Sequence, residues 1–151
     1  MSGEVAVQYG TRSPWAPAVP TLRCWAAAAL SGGPRGARLG IRVVGAAEAR
    51  RLNRDFRGRD GATNVLSFAA AAPPPGGRRF LGDVVICAPL AARESREQRK
   101  PLPAHWAHLV VHGVLHLLGY DHQRPREARR MEAREVAVLA GLGFGNPYEV
   151  H

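Results

Sequence analysis

The stretch from Pro103 to Leu118, PAHWAHLVVHGVLHLL, decides how the fold is read. Leu109, Val110, Val111, Val114, Leu115, Leu117 and Leu118 surround a helix there on nearly all sides, and a helix that is apolar all round is a buried one. Gly119 ends it, as glycine does just past a helix C-terminus. Working outward, Arg124 to Ala140 reads as a final helix, with Met131, Val136, Leu139 and Ala140 available for a core-facing stripe. On the N-terminal side, Ala88 to Arg99 is a polar helix and Leu81 to Cys87 a strand. Asn64 to Phe68 is a second strand, and Ala46 to Phe56 a helix with Leu52 and Phe56 at i, i+4. Leu39 to Val44 alternates as a strand does. Val19 to Leu30 follows a Pro-rich approach into another helix, stopped by Ser31-Gly32-Gly33-Pro34, and Glu4 to Tyr9 alternates weakly as a first strand. The segment Ala69 to Arg79, with Pro73-Pro74-Pro75-Gly76-Gly77, is a loop by composition. Strands and helices alternate early and the chain is helical late. The expectation is an α+β fold: a small mixed sheet of about four strands covered by about five helices.

Five of the six histidines fall within or just after the buried helix: His105, His108, His112, His116 and His122. His112 and His116 are one turn apart on one helix face. Gly119 lets the chain turn so that His122 can return to the same point. Three neutral imidazoles plus water make a catalytic type of zinc site with one open position. One zinc ion per chain is therefore expected at the end of the buried helix, on His112, His116 and His122. Three histidines at these offsets arise by chance in roughly 0.01 of such chains. His108, one turn earlier, is expected to support the ligands rather than to ligate, because a fourth protein ligand would close the open position. His105 and His151 are assigned no role.

The spacing H-x-x-x-H-x-x-G-x-x-H is the zinc-binding part of the metzincin pattern. Zinc proteases place a general-base Glu directly after the first His. Here that residue is Gly113, which removes the carboxylate the peptide-hydrolysis route needs. Asp121 can orient a ligand imidazole or accept a proton, or simply form the turn after Gly119. A second cluster, Leu52-Asn53-Arg54-Asp55-Phe56-Arg57-Gly58-Arg59, ends a helix with three arginines. An Arg at such a helix–strand junction can neutralise a phosphate.

With 151 residues the chain is expected to form a single domain, 1–151, large enough to bury a core without staples. Lys and Arg number 21 against 12 Asp and Glu, a formal charge of +9, and Lys100 is the only lysine. Arg pairs with phosphate in a bidentate fork, so nucleic acid or a ribonucleoprotein is the expected partner. No apolar run approaches the roughly 18 residues of a membrane span. Met1-Ser2-Gly3-Glu4 opens no secretory signal, so the expected location is the cytoplasm. Cys24 and Cys87 form no metal or disulfide pattern and read as two small buried residues.

His112-Gly113-Val114-Leu115-His116-Leu117-Leu118-Gly119-Tyr120-Asp121-His122 resembles the signature of the bacterial YbeY-type endoribonucleases, also called rRNA maturation factors. Leu52-Asn53, Phe56-Arg57-Gly58, Thr63 to Phe68 and Leu81 to Cys87 resemble that family's other motifs, in the same order. The likeness spans roughly Leu39 to Tyr148; the first 30 residues carry none of it. It implies a single-strand-specific, metal-dependent ribonuclease acting in 16S rRNA 3′-end maturation and ribosome quality control. The zinc ligands then fall on His112, His116 and His122, and the family's functional Arg on Arg57. Ala62 stands where the family usually has Pro. Two other functions compete: a non-catalytic ribosome-assembly factor with structural zinc, and a metalloprotease. The missing fourth ligand opposes the first, because structural sites are usually closed. Gly113 opposes the second.

Overall fold

The computed structural model describes residues 4–11, 14–57, 64–70, 79–121 and 123–149, and at Arg57 the backbone alone. Nine elements follow in chain order: β1 (Glu4–Tyr9), α1 (Val19–Leu30), β2 (Arg38–Val44), α2 (Ala46–Arg57), β3 (Val65–Ala69), β4 (Phe80–Cys87), α3 (Ala88–Glu97), α4 (Leu102–Leu117) and α5 (Pro125–Gly141). The sheet order is β1-β2-β4-β3. β1, β2 and β4 run parallel, with α1 between β1 and β2 and with α2 and β3 between β2 and β4, and β3 pairs antiparallel with β4 at the edge. The register sets Val7 beside Ile41 and Ile41 beside Val84. This is the expected α+β architecture, a mixed sheet with five helices.

Strand alternation divides the core in two. On one face Leu39, Ile41, Val43, Val84 and Ile86 pack with Leu22 and Ala26 of α1, Trp106, Val110 and Val114 of α4, and Met131 and Leu139 of α5. On the other, Val44, Leu66, Val85 and Cys87 pack with Ala49 of α2. α1 earns its place by period: Leu22, Trp25, Ala26, Ala29 and Leu30 are all buried, at i, i+3, i+4, i+7 and i+8. The N-terminal residues that resembled nothing thus supply an edge strand and a core helix. Side chains the size of Leu or Ile contribute about 1.5–3 kcal/mol each when fully buried.

Three expectations need correction. Cys24 is exposed; only Cys87 is buried, because Cys24 falls between the buried positions of α1. Helix α3 stops at Glu97, short of Arg99, whose backbone turns left-handed at φ 54°; Lys100 N–H then donates to Ser95 O at 3.0 Å. The buried positions of α5 are Met131, Glu135, Val138 and Leu139, while Val136 is half-buried and Ala140 exposed. Among the described residues no helix is long and apolar enough to cross a membrane.

Candidate metal centre

Helix α4 is buried wherever it carries Trp106, Ala107, Leu109, Val110, Val111, Gly113, Val114 or Leu115. The half-open positions between them are His108, His112 and His116, spaced at i, i+4 and i+8. The packing that buries the apolar faces therefore leaves these three histidines on one half-open stripe. The His112 and His116 rings lie 4.8 Å apart, centroid to centroid, and those of His108 and His112 lie 6.2 Å apart.

Gly113 turns the other way. A Cβ built there would come within 2.5 Å of Val84 Cγ1 and 3.3 Å of Val65 Cγ2. The helix lies so close to β3 and β4 that only glycine fits. Ser67 Oγ fixes the approach by donating to Gly113 O at 3.0 Å. The position that carries the general base in zinc proteases thus faces the sheet, away from the histidines.

At the C-terminus of α4, Gly119 adopts φ 101°. Its N–H donates to His116 O at 3.0 Å, and Tyr120 N–H reaches back to Leu115 O at 3.1 Å, closing the helix. The turn continues through Asp121, whose Oδ1 accepts from Gln123 N–H at 3.2 Å. His122 itself lies outside the described residues.

Beneath the stripe sits a carboxylate that sequence reading passed over. Glu135 of α5 has no exposed surface and occupies a core position between Met131 and Leu139. Its Oε1 accepts from His112 Nδ1 at 2.6 Å. The Tyr148 hydroxyl donates to Oε2. His108 Nε2 lies 3.4 Å from Oε1 and 3.3 Å from the Tyr148 oxygen. Burial alone would raise the Glu135 pKa, yet the hydrogen bonds from His108, His112 and Tyr148 outweigh it and hold the carboxyl down at about 2. An ionised carboxylate can only accept, and where Nδ1 carries the proton of this bond Nε2 is the ring's acceptor nitrogen.

The donor set fits a metal ion. Ligand-capable atoms of His108, His112 and Glu135 all lie within 4.8 Å of one another, so this cluster could hold one. The structure brings His112 and His116 together as their spacing predicts. It places Arg57 at the last turn of α2, on the opposite face of the sheet from α4. Both helices end toward the same end of the sheet. Phe56 lines a cavity of about 600 Å³ with Gly40 and Phe80, at the start of β2 and β4, and Leu118 lies against Gly33, which leads into β2. Arg50, Arg51 and Arg54 are exposed along α2. His105, given no role from sequence, is buried and bonds through Nε2 to Glu94 at 2.9 Å.

The profile of the family described as endoribonuclease YbeY matches residues 23–143. A protein of Bordetella pertussis named endoribonuclease YbeY is 55% identical over 151 residues, covering 95% of this chain and 94% of its own. One of Stenotrophomonas maltophilia with the same name is 54% identical over 149 residues, covering 96% and 92%. The solution structure of a Thermotoga maritima protein superposes with a TM-score of 0.59 at 18% identity, over 96% of this chain and 99% of the other, which speaks for the fold alone. With the histidine stripe in place and this likeness running nearly end to end, the chain belongs to the endoribonuclease YbeY family.

Proposed function

We propose that this chain, as one domain spanning residues 1–151, is a zinc-dependent endoribonuclease that cuts single-stranded RNA. Its biological substrate is a 16S rRNA precursor on the ribosomal subunit, with roles in 3′-end maturation and ribosome quality control, and the work is cytoplasmic. The observation that carries the reading is His112, held by a buried carboxylate through Nδ1, with His116 one turn away on the half-open histidine stripe of α4. His122, three residues past Gly119 in sequence, is the third ligand, and one zinc ion binds per chain. Relatives with more than half their residues identical are named endoribonucleases, which supports RNA as the substrate. The formal charge of +9 suits a polyanion.

A zinc ion held by three histidines supplies a Lewis acid for a phosphoryl oxygen or lowers the pKa of a bound water. Glu135 fixes the His112 ring and its tautomer. Arg57, at the end of α2, donates to the phosphate as charge builds on it. Asp121 is the proton acceptor beside the third ligand. The nucleophile is either the 2′-hydroxyl of the RNA or a water. The 2′-hydroxyl route fits a site whose residue 113 can carry no carboxylate.

The test is cleavage of one sequence offered single-stranded and as a duplex, followed by analysis of the product ends. The single strand is cut and the duplex is not. A 2′,3′-cyclic phosphate identifies 2′-hydroxyl attack, and a 5′-phosphate identifies water. Equal cutting of strand and duplex, or none of either by the zinc-loaded protein, contradicts the proposal.

A further inference from the structure

Glu135 is the most deeply buried charged group among the described residues, and nothing in the cleavage chemistry requires it to touch RNA. A buried carboxylate is costly unless it is paired and hydrogen-bonded. Glu135 has no Arg or Lys partner among the described residues; its contacts are His108, His112 and Tyr148. Its two oxygens are used separately. Oε1 takes the His112 Nδ1 proton and Oε2 takes the Tyr148 hydroxyl proton. Tyr148 is itself anchored: its N–H donates to Asn146 Oδ1 at 2.8 Å, and its ring stacks edge-on against His108 at 5.4 Å.

We propose that Glu135 is a positioning residue for the metal, and that Tyr148 is the latch by which the C-terminal segment holds Glu135 in place. The inference rests on the metal site proposed above. A carboxylate bonded to one ring nitrogen of a ligand histidine fixes both the tautomer and the ring plane, and raises the basicity of the other nitrogen. At 2.6 Å, the Nδ1 to Oε1 hydrogen bond is short. For His112 Nδ1 and Glu135 Oε1 to meet on one metal ion instead, that bond would have to break and Nδ1 would have to lose its proton. The chain Tyr148–Glu135–His112 runs from the C-terminal segment through α5 to α4, so the geometry of the centre depends on residues far from it in sequence.

The test uses Co²⁺ as probe on metal-free full-length protein. Affinity is measured by chelator competition, ligand geometry by the visible absorption of Co²⁺, and the His112 tautomer by ¹⁵N-edited NMR. Unfolding curves confirm that each variant is folded. Wild-type His112 carries its proton on Nδ1. Glu135→Ala releases that preference and weakens Co²⁺ binding about 10–100-fold, while a single Co²⁺ still binds at saturation with a tetrahedral-type spectrum. Tyr148→Phe keeps the ring, removes one bond to Glu135, and weakens binding in the same direction by less. Glu135→Gln, which still offers an oxygen to Nδ1–H, recovers part of the affinity.

Wild-type affinity in both Glu135→Ala and Tyr148→Phe, with His112 still protonated on Nδ1, overturns the inference. So does abolished Co²⁺ binding in Glu135→Ala together with retained binding in His116→Ala, since Glu135 would then be a ligand. Binding lost in His112→Ala and His116→Ala but untouched in the Glu135 and Tyr148 variants overturns this inference alone and leaves the metal site standing. Binding untouched in His112→Ala and His116→Ala as well overturns the metal site itself.

Discussion

His112 Nδ1 lies 2.6 Å from Glu135 Oε1, across 23 residues of sequence and from one helix to the next. That bond turns His112 Nδ1 toward α5 and sets Nε2 on the far side of the ring. It also ranks the histidines. His112 and His116 present their rings 4.8 Å apart, while His108 leans on Tyr148 and Glu135.

Metal content follows that ranking. His112→Ala, His116→Ala and His122→Ala each lose the metal on dialysis, while His108→Ala keeps it with affinity lowered about 10–100-fold. Elemental analysis of the dialysed proteins checks this. Wild-type metal content in His122→Ala would remove that residue from the ligand set.

Gly113 bears on stability rather than chemistry. A Cβ there meets Val84 Cγ1 at 2.5 Å, so Gly113→Ala forces α4 away from β3 and β4 and strains the Ser67 bond. Overpacking of this kind costs about 1–3 kcal/mol. Denaturant unfolding should show a lower midpoint for Gly113→Ala. A midpoint equal to wild type would mean that α4 can lift from the sheet at no cost.

Much of this was readable in the residues. The histidine stripe was legible because i, i+4 spacing within an apolar helix admits few other uses. The two-part character of the chain, alternating early and helical late, gave the α+β class. The antiparallel direction of β3 was not legible, since Val65 to Ala69 is a short apolar run whose pattern is the same in either direction. Glu135 was passed over because a Glu in a helix is ordinarily a surface residue. Its place between Met131 and Val138–Leu139 in the inward-facing period was the available signal. Tyr148 carried none, as its partner is joined only by the fold. Cys24 shows the reverse error: cysteine is usually buried, but the period of α1 turns that position outward.

Arg57 is predicted to act on the phosphate during cleavage, not merely to hold RNA. Arg57→Ala should cut about 10²–10³-fold more slowly at saturating enzyme, with RNA affinity and metal content little changed. Lys restores part of the rate, lacking the bidentate fork. Arg51→Ala and Arg54→Ala on exposed turns of α2 should instead weaken binding modestly and flatten its salt dependence. Single-turnover cleavage, with binding measured separately at several salt concentrations, separates the two. A normal rate for saturated Arg57→Ala contradicts the assignment.

His105 predicts a pH dependence of folding. Burial pushes its imidazole below the ordinary value of 6.5, against the opposing hydrogen bond from Glu94, with His108 and Lys100 lowering it slightly further. Below pH 6.5 the unfolded chain therefore binds a proton that the folded chain resists, and stability falls as pH drops from there through the lowered folded value. Metal-free wild type should lose more stability between about pH 7.5 and about pH 5.5 than His105→Gln does. Denaturant unfolding at both pH values checks it; equal losses would show that His105 does not set this dependence.

The most direct test of the central claim is reconstitution. Wild-type protein is stripped of metal by chelation and assayed on single-stranded RNA before and after zinc is returned, beside His116→Ala prepared identically. The account predicts that cleavage disappears with the metal, returns with one zinc per chain, and is absent from His116→Ala under both conditions. Cleavage by stripped wild type, or by His116→Ala at the wild-type rate, would contradict it.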